Sequence, residues 1–288
     1  MLLAPASRLA WALPMVMQGE LTGNPVERFG DLSTVTLASP APGSGWMATD
    51  TTLGPIGTAA FEYNAMGWRD DGFLYGLELI ETGNTGLVVR IDPTTAMLAG
   101  AKLSPNFAGA PGWNAGTRYD AGDVNNLDDV LYLSTNNTAL FMYSFLTNTM
   151  SQIAISGDVG YVADWAFNPA TGLLYGADTQ GQLATLNPVT GVRTDSAAIM
   201  GSGVAFGAAW HNPADGLLYF YRNQPTATGV SIYGVTSGGT VQNRWGAPTA
   251  TLNDGAFVAF TPLAAPPAWG FFVLGLLAMR ALGRTRFN

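Results

Sequence analysis

One short motif recurs along the chain at nearly regular spacing. The element Gly/Asp-x-Leu-Tyr occurs four times, at residues 72–75, 129–132, 172–175 and 216–219, so that successive tyrosines are 57, 43 and 44 residues apart. A period in the forties, carried by strand-like units, is typical of propeller blades of four strands each. This repetition limits the fold more strongly than any other feature of the 288-residue chain.

A second element, rich in glycine and alanine, precedes each copy and occurs once more near the end. Its five copies are residues 64–68, 120–124, 163–167, 206–210 and 253–257. Because Gly and Ala are poor strand formers, their recurrence indicates close backbone approach, as in the innermost strands around a propeller axis. The pattern predicts an all-β propeller of about five four-stranded blades, with six as the alternative.

The fifth copy is followed too closely by Pro262 to be completed by later strands. Strand-like segments between residues 31 and 57 would complete that blade and close the ring, which removes two exposed sheet edges. This closure predicts pairing between residues near Val35 and residues near Phe257. The propeller is expected over residues 30–261, after a leader at 1–29 and before a separate segment at 262–288.

The repeats resemble a propeller-like repeat family of bacterial secreted and adhesin-like surface proteins. Its units have the form Ala-Asp-Trp-Ala-Tyr-Asn-Pro, Gly-x-Leu-Tyr-Gly and Ile-Asp-Pro-x-Thr-Gly, and residues 162–169, 172–176 and 252–256 fit them. The resemblance covers about residues 61–260. It implies a propeller fold and a surface location, and it names no catalytic residue because the family has no assigned chemistry.

The C-terminus combines an uncharged stretch at residues 263–279 with Arg280, Arg284 and Arg286. About 17 residues is the lower limit for a membrane-spanning helix, and the arginines place the body outside the cytoplasm. With Pro266 and Pro267 before it, this order resembles the PEP-CTERM sorting signal processed by exosortases, although the usual Glu is missing. The resemblance implies a hydrophobic C-terminal helix, export to the cell surface or extracellular matrix, and the sorting machinery and membrane as partners. A buried C-terminal helix is the alternative.

The N-terminus is a poorer match to an export signal. Arg8 precedes an apolar run that ends at Met17, but no small-x-small cleavage triplet follows. We therefore expect the export signal to be atypical or truncated.

Charge and cysteine content exclude several functions. The net charge is −8, and without the three C-terminal arginines the chain has 20 acidic against 9 basic residues. Such a body lacks the basic face that neutralises phosphates, so nucleic acid is not an expected partner. The absence of cysteine excludes disulfides, thiolate metal sites and a cysteine nucleophile.

Three aspartates fall in the aligned inner strands. Asp164 and Asp254 occupy the same position of the repeat, and Asp123 lies two positions further along. These carboxylates would meet at the axis, where they could bind a ligand or cation or form an acid/base pair. The favoured interpretation is structural, with hydrogen bonds to backbone and packing along the axis.

Four aspartates of the second repeat form an acidic segment. Alternating carboxylates and amide oxygens are what calcium requires, and the candidate ligands are Asp120, Asp123, Asp128 and Asp129. Their spacing is not that of an EF-hand, and a solvated turn explains the same residues. Calcium is the one cofactor that the pattern allows, and none is otherwise predicted.

Three tryptophans and the single histidine are the remaining candidates for binding or catalytic residues. Trp113, in a Gly-rich loop, is predicted to be a sugar-stacking platform, whereas Trp68 and Trp210 are aligned in one position and predicted to pack between blades. His211 is assigned to a strand-exit turn, since no second metal ligand or nucleophile is beside it.

These features favour a non-enzymatic exported protein, with the propeller as a scaffold for adhesion or for contact with polysaccharide or protein. The alternative is an extracellular lyase or hydrolase that acts on polysaccharide through the axial carboxylates. A membrane-anchored sensor domain is a third, weaker hypothesis. Fold alone does not decide among them, because propellers support unrelated functions.

Overall fold

The described part of the chain consists of β-strands and turns. The computed structural model describes the backbone of the strands at 15–20, 30–38 and 47–55, and residues 62–258 apart from gaps at 81–82, 96, 136–137, 159, 225, 227–228 and 247–253. These residues contain 22 strands and no helix. The predicted all-β class is confirmed for them, and the predicted C-terminal helix lies outside them.

The strands belong to five separate sheets. In chain order they are β1 Met15–Glu20, β2 Gly30–Ala38, β3 Met47–Pro55, β4 Glu62–Arg69, β5 Phe73–Ile80, β6 Gly83–Asp92, β7 Met97–Leu98, β8 Asn106–Gly109, β9 Ala121–Asn125, β10 Val130–Thr135, β11 Ala139–Ser144, β12 Thr149–Ala154, β13 Ser156–Gly157, β14 Val162–Asn168, β15 Leu173–Asp178, β16 Gln182–Leu186, β17 Val192–Ala198, β18 Phe206–Asn212, β19 Leu217–Arg222, β20 Ile232–Val235, β21 Val241–Trp245 and β22 Asp254–Phe257.

Four blades of a propeller are formed by strands that follow one another in the chain. Blade one contains β4 to β7, blade two β8 to β12, blade three β13 to β17 and blade four β18 to β21. Blades two and three each carry a short extra strand, which pairs in parallel at the outer edge. The repeats therefore specify a propeller, as predicted, with four blades built from consecutive strands where about five were expected.

The fifth copy of the inner-strand motif stands in a sheet of different construction. Strand β22 pairs with β1, and β2 and β3 follow outward, so this closing sheet joins the two ends of the described chain. The predicted partnership of Val35 with Phe257 is wrong, because both residues pair with Met15. Strand β1 lies within the segment assigned to a leader, and it is inserted between the two strands that were expected to be neighbours.

A tight turn joins the first two long strands of each blade. In blades three and four the N–H groups of Gly172 and Gly216 donate to the carbonyls of Asn168 and Asn212 at 2.9 Å. Both glycines have φ near +70°, where a residue without Cβ meets no steric penalty. Asp129 occupies the same place in blade two at φ 58°, and aspartate tolerates this region better than most residues. The motif accordingly begins with Gly or Asp.

The apolar core is divided among the junctions between blades. Trp165 packs between blades two and three, Val124 between blades one and two, and Leu218 between blades three and four. Ala256 and Val258 pack on blade one, while Phe257 contacts the core of blade four. Strands β4, β9, β14, β18 and β22 thus contact one another in a closed ring around the axis.

Candidate functional site

The strand register places one residue from each inner strand at the same level of the axis. Trp68, Val124, Phe167 and His211 each pair with the leucine that precedes the repeated tyrosine. Phe257 lies at the corresponding end of β22. These five residues are called the mouth ring below. They lie at or one residue before the end of their strands, so this level of the axis faces the turns.

Below the mouth ring, aspartate side chains connect neighbouring inner strands. The carboxylate of Asp123 accepts the N–H of Val124 at 2.7 Å and that of Phe167 in the next blade, also at 2.7 Å. Asp254 accepts the N–H of Gly255 at 2.8 Å and that of Met66 in blade one at 2.7 Å. Each carboxylate therefore joins its own strand to the next one around the ring.

Asp164 makes the most extensive connection of the three. It accepts N–H groups from Trp165 at 2.8 Å, from Gly122 in blade two at 3.3 Å and from Ala209 in blade four at 2.6 Å. One side chain thus connects three blades. The carboxyl groups of Asp164 and Asp254 also lie close enough to interact electrostatically, as expected for two carboxylates at the axis.

The three aspartates share an unusual protonation equilibrium. Burial raises the pKa of Asp123 to about 7, against the opposing effect of its two backbone N–H donors. Burial, and then the charge of Asp254, raise the pKa of Asp164 well above its usual range. Burial likewise raises the pKa of Asp254. Each of these carboxyl groups therefore holds its proton to higher pH in the folded protein than in the unfolded chain.

Close backbone contact accompanies these side-chain bridges. A Cβ atom added at Gly67 of β4 would lie 2.1 Å from the backbone nitrogen of Val124 and 2.7 Å from Oδ1 of Asp123. A Cβ at Gly122 would lie 2.8 Å from the Cβ of Ala65. The sequence-based prediction that glycine and alanine mark close approach around the axis is confirmed at both positions.

A cavity of about 560 Å³ opens at the mouth ring. Its walls are the five mouth-ring residues, and Asp123 contributes from one residue deeper in β9. Further lining residues come from the turns that follow the inner strands; these are Asp70, Asn126, Leu127, Pro169 and Pro213. Every blade with described side chains contributes to the cavity, and so does β22.

The mouth ring corrects the assignments of Trp68, Trp210 and His211. Trp210 pairs with Tyr219 and is buried, as predicted, but it lies one residue deeper than the level of Trp68. Trp68 precedes the motif leucine Leu74 by six residues, whereas Trp210 precedes Leu218 by eight, so the two tryptophans do not reach the same level. His211, assigned to a turn, lies inside β18 and lines the cavity with Trp68. The sequence signal that could have placed His211 correctly was the leucine of each Gly/Asp-x-Leu-Tyr motif, because the residue that pairs with this leucine lies at the mouth.

The acidic segment of blade two does not assemble into a cation site. Asp129 accepts two hydrogen bonds from Arg69, Asp128 accepts one from Asn125, and Asp120 accepts one from Asn64. Asp123 lies at the axis. In the part of the chain that the structure describes, no group of three or more His, Cys, Asp or Glu side chains is arranged to hold a metal ion. Asp120, Asp128 and Asp129 are thus accounted for by hydrogen bonds in and around a polar turn.

Trp113 does not present a free face. Its ring is stacked on Tyr119 with centroids 4.3 Å apart and an interplanar angle of 7°, and it contacts Phe107 and Phe141. It therefore packs against the core between blades one and two and lies away from the cavity.

The predicted sorting signal lies outside the described residues, and with it Pro266, Pro267, Arg280, Arg284 and Arg286. Within the described ranges, no helix has the length and apolar character needed to cross a membrane.

Comparison with solved structures finds distant similarities. Glutaminyl cyclase of Myxococcus xanthus is 12% identical over 68% of this chain and 82% of the cyclase chain, with a TM-score of 0.42. A chain of a mitotic checkpoint complex is 13% identical over 87% of this chain and 72% of its own, with a TM-score of 0.43. At these values neither likeness carries information about activity. No curated protein matches the chain significantly.

A family match extends over most of the ring. The repeat family DUF6923, described as a repeat of unknown function, aligns with residues 34–259 and so includes all four consecutive blades and β22. Because this range is well over half of the chain, the protein belongs to the DUF6923 repeat family.

Proposed function

We propose that the protein is a non-enzymatic, exported propeller scaffold. It would act at the cell surface or in the extracellular matrix through contacts with polysaccharide or protein. Calcium has no part in this proposal, because the acidic segment is engaged with Arg69, Asn64 and Asn125.

The burial of the axial carboxylates is the observation that carries the proposal. Asp164 and Asp254 have no exposed surface, and every carboxylate oxygen accepts at least one backbone N–H. A catalytic acid or base must come within hydrogen-bond distance of its substrate. These two carboxyl groups are instead committed to joining inner strands, which favours a scaffold over a lyase or hydrolase.

Incubation with polysaccharides tests the absence of catalysis. The full-length protein would be incubated with neutral and acidic polysaccharides, and both new reducing ends and unsaturated uronates would be measured. We expect neither product, and we expect retention of the protein on an immobilised polysaccharide or surface protein. Product formation that Asp164→Asn abolishes in a folded protein would establish the enzyme alternative.

The proposed location rests on residues 262–288 and needs a separate experiment. A tagged full-length chain would be expressed in a bacterial host that has an exosortase, and the cell fractions would be analysed. We expect the propeller in the envelope or extracellular fraction, and retention in the cytoplasm when Arg280, Arg284 and Arg286 are replaced by Glu. An unchanged distribution in that variant would contradict the sorting role of this segment.

A further inference from the structure

The cavity at the mouth ring is a pre-formed space whose chemistry no comparison assigns. Its walls come from the ends of inner strands in different blades, and each strand is fixed by its sheet and by the aspartate bridges below. A volume of about 560 Å³ is within the range of small-molecule sites. Walls fixed in this way do not have to be ordered when a ligand binds, which favours affinity.

Three aromatic side chains line the cavity from different parts of the ring. Trp68, Phe167 and Phe257 line it from blade one, blade three and β22. Leu127, which is 69% exposed, and Pro213 extend the apolar surface to the rim. Aromatic rings on several sides of one space attract either apolar groups or cations.

The charges around the cavity distinguish between these two ligand types. Asp70 and Asp123 are the carboxylates that line it, and no lysine or arginine is among its described lining residues. Burial lowers the pKa of His211, which keeps the imidazole neutral at neutral pH. The net charge of the chain is −8, so the surrounding field has the same sign. The cavity therefore favours cations and disfavours anions.

Two of the polar side chains that line the cavity, Asn126 and Asp123, already use their hydrogen-bonding groups within the protein. The amide of Asn126 donates to the carbonyl of Trp68 at 3.0 Å and accepts the N–H of Asp70 at 2.8 Å. Both oxygens of Asp123 already accept backbone N–H groups. A sugar needs many hydrogen-bond partners at once, whereas an alkylated ammonium group needs aromatic faces and negative charge but no donor or acceptor.

We propose that the mouth ring binds a small organic cation of the quaternary-ammonium type between Trp68, Phe167 and Phe257, with Asp70 and Asp123 supplying the negative charge. This site is independent of where the protein is located and of whether the propeller is anchored.

Choline and its neutral carbon analogue, 3,3-dimethyl-1-butanol, provide a matched pair of probes. Binding to the full-length protein would be measured by calorimetry at pH 8, above the pKa of about 7 of Asp123. We expect choline to bind roughly tenfold more tightly than the analogue, which corresponds to a cation–π contribution of about 1.4 kcal/mol. Equal affinity would show a merely apolar cavity, and tighter binding of a neutral oligosaccharide would show a sugar site. Either result, or no binding of choline, would overturn the proposal.

Variants locate the site. Trp68→Ala should abolish detectable choline binding, and Trp68→Phe should restore part of it, because the smaller ring retains a weaker cation–π face. Asp70→Asn, at the exposed rim, should weaken binding severalfold without affecting the fold. Trp113→Phe, a tryptophan variant away from the cavity, should bind choline as the original protein does. Unchanged binding in both Trp68→Ala and Asp70→Asn, or equal loss in Trp113→Phe, would contradict the assignment.

Discussion

Two levels of the same axis differ in what their polar groups do. At the level of Asp164 and Asp254, carboxyl groups are fully buried and occupied by backbone N–H donors from adjacent strands. A few residues closer to the turns, Asp70 and His211 line an open cavity beside aromatic rings. The contrast shows that an aspartate near a propeller axis can hold the ring together or line a ligand space. The depth of the aspartate along its strand decides between these two roles. Where the surrounding backbone is buried, its N–H groups need hydrogen-bond acceptors within the protein, and the carboxylate supplies them.

The largest expected effect concerns the deep level. Asp164→Ala leaves the N–H groups of Trp165, Gly122 and Ala209 without this acceptor, so we expect unfolding to become easier by roughly 3–5 kcal/mol. Asp164→Asn retains one acceptor oxygen and should lose much less. Urea denaturation followed by tryptophan fluorescence measures both. If Asp164→Ala is as stable as Asp164→Asn, the hydrogen bonds that Asp164 accepts do not hold the blades together, and the proposed difference between the deep level and the mouth would be wrong.

Close approach between inner strands predicts the next largest effect. The Cβ of Gly67→Ala would collide with the backbone of Val124, and relief of this overlap should cost about 1–3 kcal/mol of stability. Gly238→Ala is the matched control, since its nearest neighbour is 3.8 Å away. Denaturation curves of the two variants should separate clearly, and coincident curves would show that β4 and β9 can move apart freely.

The pH dependence of stability sharpens the comparison further. A folded-state pKa of about 7 for Asp123, above the ordinary 3.8, means that the native protein retains a proton that the unfolded chain releases. This stabilisation is complete below pH 3.8 and is lost as the pH rises through 7. Between pH 6.5 and 8.5 we expect the unfolding free energy to fall by about 1 kcal/mol from this group.

The raised pKa values of Asp164 and Asp254 act in the same direction, whereas the lowered pKa of His211 acts in the opposite direction below pH 6.5. Asp123→Asn should therefore reduce the slope between pH 6.5 and 8.5, whatever its absolute stability. Stability that increases with pH over this window would contradict the burial of the three carboxyl groups.

We expect the smallest effect on stability from a substitution at the rim of the cavity. Asp70→Asn removes a carboxylate that is exposed at the rim, so its stability should stay within about 0.5 kcal/mol of the original. Urea denaturation of this variant next to Asp164→Asn provides the comparison. A large loss in Asp70→Asn would show that the mouth, too, serves to hold the blades together.

Much of the fold was predictable from the sequence, and less of the site. The repeats specified strands, turns and inner-strand positions, because each repeat is a local unit whose glycines and tyrosine have local causes. Gly172 at φ 70° lies within the hairpin of blade three, and the hydrogen bond from Tyr219 to Asp215 at 2.6 Å lies within the hairpin of blade four. The pairing of β1 with β22 was missed because these strands are far apart in the chain and carry no shared motif.

The site was only partly predicted, for a related reason. The aligned aspartates were found, but His211 was misplaced because Trp210 was aligned with Trp68, although His211 is the residue that pairs with the motif leucine as Trp68 does. Successive residues of a strand point to opposite faces, so Trp210 is buried as predicted while its neighbour His211 lines the mouth. Trp113 was overvalued, since its stacking on Tyr119 depends on the packing between two blades.

The sequence by itself determined that this chain is an all-β repeat protein, acidic and free of cysteine, with small residues and aspartates along its inner strands. Only the tertiary structure decided that Asp164 joins three blades, that the acidic segment of blade two is split among separate partners, and that an aromatic cavity opens above Asp123. Local motifs encode the blade because its strands are neighbours in the chain. The axis is assembled from strands about forty residues or more apart, so its chemistry exists only once the ring has closed.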